Sequence, residues 1–105
     1  SLSAISAYNI WYDQYYSIGN YLFADVAAFN TKLGALVNST GDTASKAAWD
    51  EYAAGDTALT SLVAGLPEDT LTWTTEQYNK WVEASTARYN ALGAVGTALF
   101  NAIVK

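Results

Sequence analysis

The sequence predicts an all-α fold, an antiparallel three-helix bundle in which two long helices bracket a shorter one. Three observations lead there. Apolar residues recur in alternating steps of three and four along most of the 105 residues, the spacing that holds one helix face against a partner. Two groups of stop signals, Asn38 to Asp42 and Gly65 to Pro67, divide that pattern into three parts. No stretch reads as a pair of strands, an internal repeat or a linker, so residues 1–105 form a single helical domain.

The first helix opens after Ser1 to Ser3, whose hydroxyls suit an N-cap, and runs to about Val37. Its seam reads Ile5, Tyr8, Tyr12, Tyr15, Gly19, Leu22, Val26, Phe29, Leu33 and Leu36. The phase does not slip at Gly19, although Gly inside a helix costs roughly 1 kcal/mol relative to Ala. One continuous helix of about 50 Å follows, at about 1.5 Å per residue. A break between Ser17 and Asn20 is the alternative, and it makes the fold a four-helix bundle.

The second helix starts at a cap on Asp42 or Thr43 and runs from Ala44 to about Ala64. Its seam is Ala48, Tyr52, Gly55, Leu59, Leu62 and Leu66, with Trp49 and Val63 flanking it. Gly65 ends it and Pro67 blocks continuation. Glu68 to Thr74 connects onward, with Leu71 and Trp73 as plugs over the bundle end. Thr74 and Gln77 offer a capping box, and the third helix runs from Thr75 to the C-terminus. Its seam is Tyr78, Val82, Ser85, Tyr89, Leu92, Gly96, Leu99 and Ile103. Gly93 and Gly96 lie within the helical pattern, so they permit close helix packing rather than cradle a phosphate.

Composition removes most chemistries. The chain has no His and no Cys, which excludes the usual acid–base and nucleophile pairs and any thiolate metal site. No metal-ligand spacing and no cofactor loop is present, so no metal, cofactor or catalytic residue is assigned and the chain is not read as an enzyme. The net charge is −5, and the five basic residues Lys32, Lys46, Lys80, Arg88 and Lys105 are scattered. Phosphate recognition needs clustered Lys and Arg, so direct nucleic-acid binding is not expected. The charge-free run Tyr89 to Val104 is shorter than the roughly 20 residues of a membrane span, so none is expected. Asp25, beside the seam, reads as the partner of Lys32 or, less simply, as a buried carboxylate that switches assembly with pH.

What remains is surface. Charged residues make up 14% of the chain, against the usual quarter or so. Helix one and the second half of helix three are apolar around their circumference, which a small monomer cannot bury. The residues expected to meet other copies are Tyr8, Trp11, Tyr16, Tyr21, Phe23, Ala27, Ala28, Ala94, Ala98 and Phe100. Tyr and Trp suit interfaces through an apolar body with a polar tip, and Ala allows close approach. Asn38-Ser39-Thr40 is an N-glycosylation acceptor pattern in a predicted loop, making Asn38 a modification candidate. The functional expectation is a non-enzymatic structural subunit, extracellular or in a virion, that self-assembles into a filament, a coat or a surface layer. The alternative is a secreted helical binding module for a lipid or another hydrophobic ligand or surface.

Tyr52-Ala-Ala-Gly-Asp56 resembles the Tyr-x-x-x-Asp secretion element of small helical-hairpin proteins of the WXG type. The Trp-x-Gly turn that defines those proteins is missing, and the element lies mid-chain inside a predicted helix, so no family is assigned on it.

Overall fold

The computed structural model describes residues 2–17 and 26–105. Among these, all regular structure is helical: α1 (Leu2–Ser17), α2 (Val26–Ser39), α3 (Thr43–Ala64) and α4 (Thr75–Val104), with a short 3-10 turn at Thr70–Thr72. The fold is all-α, as the heptad spacing predicts.

Local chemistry sets the ends of α3 and α4. Asp42 caps α3: its carboxylate accepts from the Ser45 backbone N–H at 2.9 Å and from the buried Ser45 hydroxyl at 2.7 Å. These bonds, with Lys105 Nζ at 3.2 Å, hold the Asp42 carboxyl below the usual carboxylate range. Just before the cap, Gly41 takes φ 64°, the left-handed conformation in which a side chain would be strained. At the far end of α3 the Gly65 N–H bonds back to Leu62 and Val63 carbonyls, and Pro67 follows. The expected capping box opens α4, with the Thr74 hydroxyl accepting from Gln77 N–H and the Gln77 side chain from Thr74 N–H. Leu71 does not plug the bundle end; it is 93% exposed, because the 3-10 turn carries it outward.

The expected single helix over Ile5 to Leu36 is not what forms. The described residues contain four helices, and α1 packs against α2. A continuous helix cannot fold back on itself, so the three-helix count fails and the count is that of the alternative. Residues 18–25, Gly19 included, lie outside the described residues. Helices neighbouring in sequence pack together, and α4 closes the ring against α1. Paired side chains fix the directions. Trp11 meets Leu92 while Tyr8 meets Phe100; Asp56 meets Arg88 while Asp42 meets Lys105; Tyr52 meets Asn30 while the Trp49 ring lies over Gly34. All three pairings run antiparallel.

The core is Ala7, Trp11, Leu33, Val37, Trp49, Tyr52, Leu92, Val95 and Leu99. In α1 the buried line is Ala4, Ala7 and Trp11, one position off the expected seam, and Ile5 and Tyr12 of that seam face outward. The reason is close approach. Gly93 and Gly96 leave room on α4, and the Trp11 and Tyr15 rings lie over them, which fits the packing role expected of these glycines. Tyr15 stands level with Tyr89, and Asp56 with Arg88. The α3–α4 hairpin therefore projects past the described ends of α1 and α2, giving a molecule 48 × 22 × 18 Å. On that projection the α4 seam residues Tyr78 and Val82 are exposed.

Candidate assembly surface

Turning Ala4, Ala7 and Trp11 inward places the bulk of α1 on the opposite side. Leu2, Ile5, Tyr12 and Tyr16 are exposed, and Tyr8 is half-buried between them and α4. Across the α1–α4 groove stand exposed Phe100, Val104 and Tyr89. The rings touch in series. Tyr16 lies 4.5 Å from Tyr12, Tyr12 6.1 Å from Tyr8, and Tyr8 6.0 Å from Phe100, between centroids. Behind this ridge Trp11 stacks on Tyr15 at 4.8 Å, and Tyr15 on Tyr89 at 5.1 Å. A shallow depression of about 290 Å³ between Tyr8, Trp11, Gly96, Thr97 and Phe100 runs beside it. The only charge in α1 is Asp13, and α4 carries none from Tyr89 to Val104. An uncharged aromatic ridge on a small chain is a surface that gains from being covered.

The residues expected at an interface separate into groups. Tyr8, Tyr16 and Phe100 belong to the ridge. Trp11 does not. It is 6% exposed, its indole N–H donates to the Leu92 carbonyl at 2.7 Å, and its surface is spent on the chain's own core. Ala94 is exposed on α4 but sits about 120° around the helix from Phe100, at about 100° per residue. Ala98 is half-buried. Ala27 and Ala28 are exposed on α2, which packs between α1 and α3 rather than beside the ridge. Tyr21 and Phe23 lie outside the described residues, as does Asp25. Sequence reading missed Leu2, Ile5, Tyr12 and Val104. Ile5 and Tyr12 were hidden by their bulk, which assigned them to the core. The spacing of Ala4, Ala7 and Trp11 opposite a pair of glycines was the signal for the other face. Asn38 is exposed in the last turn of α2, and the Thr40 hydroxyl two residues on donates to the Val37 carbonyl.

The other polar constellation faces inward. The Tyr52 hydroxyl donates to Asn30 Oδ1 at 2.9 Å, Asn30 Nδ2 donates to Asp56 at 3.1 Å, and Arg88 pairs with Asp56 at 3.0 Å. Both ends of the Tyr-x-x-x-Asp element thus tie α3 to α2 and α4. Burial, and then the Asp56 charge, push the Tyr52 phenol up to about 12. An unfolded tyrosine loses its proton near 10, so the folded state alone holds this proton between about pH 10 and 12. Stability therefore falls as pH rises through that window, by on the order of 2 kcal/mol. Urea unfolding at a series of pH values checks this, and Tyr52→Phe should flatten the slope. Tyr15 is raised in the same direction, chiefly by its hydrogen bond with Tyr89, and its slope persists in that variant.

Among the described residues no three His, Cys, Asp or Glu side chains gather as a metal site would require. No described helix is long and apolar enough to cross a membrane. Compared with known proteins, the chain matches no family model, no curated protein and no solved structure.

Proposed function

We propose that this chain is a non-enzymatic structural subunit that self-assembles through the α1–α4 ridge, in an extracellular filament, a virion coat or a surface layer. The observation that carries the reading is the run of touching, uncharged side chains Tyr16, Tyr12, Tyr8 and Phe100 on the outside of the bundle. Tyrosines give a packed interface at low conformational cost, and each keeps a hydroxyl for the polar rim. The scattered basic residues support a role in which no phosphate is gripped directly.

Light scattering of the purified protein, with negative-stain imaging of the same sample, tests this. The expected result is regular oligomers or polymers. Tyr12→Glu combined with Phe100→Glu should return the chain to a monomer, because each buries a carboxylate at the contact. Both positions are solvent-exposed in the subunit, so helicity by circular dichroism should not change. A wild-type chain that stays monomeric at high concentration would sink the proposal.

A second reading, a helical binding module, is favoured by one observation: the hairpin that projects beyond α1 and α2 carries an aromatic cleft of about 680 Å³ at its tip.

A further inference from the structure

The cleft lies where α3 ends and α4 begins. Leu66 and Pro67 give it an apolar floor, and Trp73, Tyr78 and Trp81 give it aromatic walls. The walls are set before any ligand arrives. The Trp73 indole N–H donates to the Pro67 carbonyl at 2.8 Å, and its backbone N–H closes the 3-10 turn on Thr70. Trp73 and Trp81 stand 6.1 Å apart at 55°, and Tyr78 and Trp81 6.1 Å apart at 33°. Two tilted indoles at that spacing form an open notch rather than a closed stack.

The charge around the notch has one sign. Among the described residues Glu68 is the only carboxylate lining it, and no basic residue lines it. Among the described residues Glu68 makes no ion pair, whereas Glu76 nearby in sequence is engaged by Lys80 at 3.2 Å. The Asp69 carboxylate is occupied in accepting from the Leu71 N–H. Aromatic faces attract cations through their quadrupole, and a carboxylate beside them adds to that attraction.

From these walls and this charge we propose that the cleft binds a methylated ammonium group. A primary ammonium carries three N–H donors that need acceptors, and a guanidinium carries five. Among the described lining side chains the acceptors are the Glu68 carboxylate and the Thr70 and Tyr78 hydroxyls, set beside the aromatic walls, and the Pro67 carbonyl already accepts from Trp73. A quaternary ammonium asks for none. Its charge is spread over methyl groups that can rest on Trp73, Tyr78 and Trp81 while Glu68 balances it. A sugar fits less well, since its ring of hydroxyls would meet mostly hydrocarbon. The proposal does not depend on assembly, because the cleft and the α1–α4 ridge share no residue.

Choline is the probe, with dimethylbutanol, its neutral carbon isostere, as the control. Each is titrated into the full chain at constant ionic strength while the indole N–H resonances are followed. Choline should shift the Trp73 and Trp81 signals to saturation and leave Trp11 and Trp49 unmoved, and the isostere should shift none. Glu68→Gln should weaken binding by about threefold, as expected of an exposed charge. Tyr78→Leu and Trp73→Leu, which keep an apolar side chain but remove an aromatic face, should each weaken it by about tenfold. Unchanged Trp11 and Trp49 signals show that these variants remain folded. Equal binding of the isostere would make the site merely apolar and overturn the proposal. So would a linear, unsaturated response, or an unchanged affinity in Glu68→Gln and Tyr78→Leu together. A monomeric chain that binds choline would leave this inference standing and remove only the assembly reading.

Discussion

Replacing Trp11 with Ala should cost about 3–5 kcal/mol, the range for deleting a large buried aromatic. Trp11 is the largest side chain that α1 contributes to the core, and it joins α1 to α4 in two ways. Its ring covers Gly96, and its indole N–H reaches the Leu92 carbonyl. The reciprocal change is Gly96→Ala. A Cβ at Gly96 would overlap the Trp11 indole, and the ring cannot slide away without losing its buried hydrogen bond. Overpacking of this kind costs about 1–3 kcal/mol, and it outweighs the roughly 1 kcal/mol that Ala gains over Gly as a helix former. Gly93→Ala is the matched control. Its Cβ would meet Tyr15 at 3.4 Å or more, an ordinary contact, so helix propensity decides and stability should hold or rise. Urea unfolding of the three variants separates the cases. Equal midpoints for Gly93→Ala and Gly96→Ala would show that α1 does not lie on α4 as described.

Asp56→Ala should be the next most damaging change, at about 2–3 kcal/mol. It removes the acceptor for Asn30 and for Arg88, in a site where both members of the ion pair are largely shielded: the side chains are 21% and 24% exposed. An exposed ion pair on the same chain, Lys46 with Asp50, should by contrast change stability by well under 1 kcal/mol when broken. Asp56→Asn keeps an oxygen acceptor without the charge and should cost about half as much as Ala. The same substitutions lower the Tyr52 phenol from its raised position, because Asp56 is one of the groups that raise it. Denaturant midpoints give the stabilities, and ultraviolet titration gives the phenol.

The parts of this fold that could be read from sequence are those decided within a few residues. Asp42, Gly65 with Pro67, and Thr74 with Gln77 mark where α3 and α4 begin and end, because a cap is a contact between near neighbours. The path of the chain through α1 and α2 is not of that kind. A heptad phase that carries across Gly19 shows that both segments use compatible faces. It does not show that they form one rod, since two helices of one bundle each need a seam. The orientation of α1 was hidden for a related reason. Bulk marks Ile5, Tyr8, Tyr12 and Tyr15 as the inward face, yet the space left by Gly93 and Gly96 selects Ala4, Ala7 and Trp11. The ridge therefore combines residues expected outside, Tyr16 and Phe100, with residues expected inside, Ile5 and Tyr12. The aromatic cleft was legible only as separate residues, because its shape depends on the path of the 3-10 turn and on the Trp73–Pro67 hydrogen bond, which no spacing in the sequence announces.

The rings along α1 also form an optical device. Tyr8 and Tyr15 lie 5.4 and 4.8 Å from Trp11, and Tyr12, Tyr16 and Tyr89 connect through them. Of the four indoles, Trp11 is the one in contact with this run of phenols and, at 6% exposure, is held away from water, so excitation they absorb passes to it over the shortest distance. The light Trp11 emits is thus a built-in gauge of whether α1 is seated on α4.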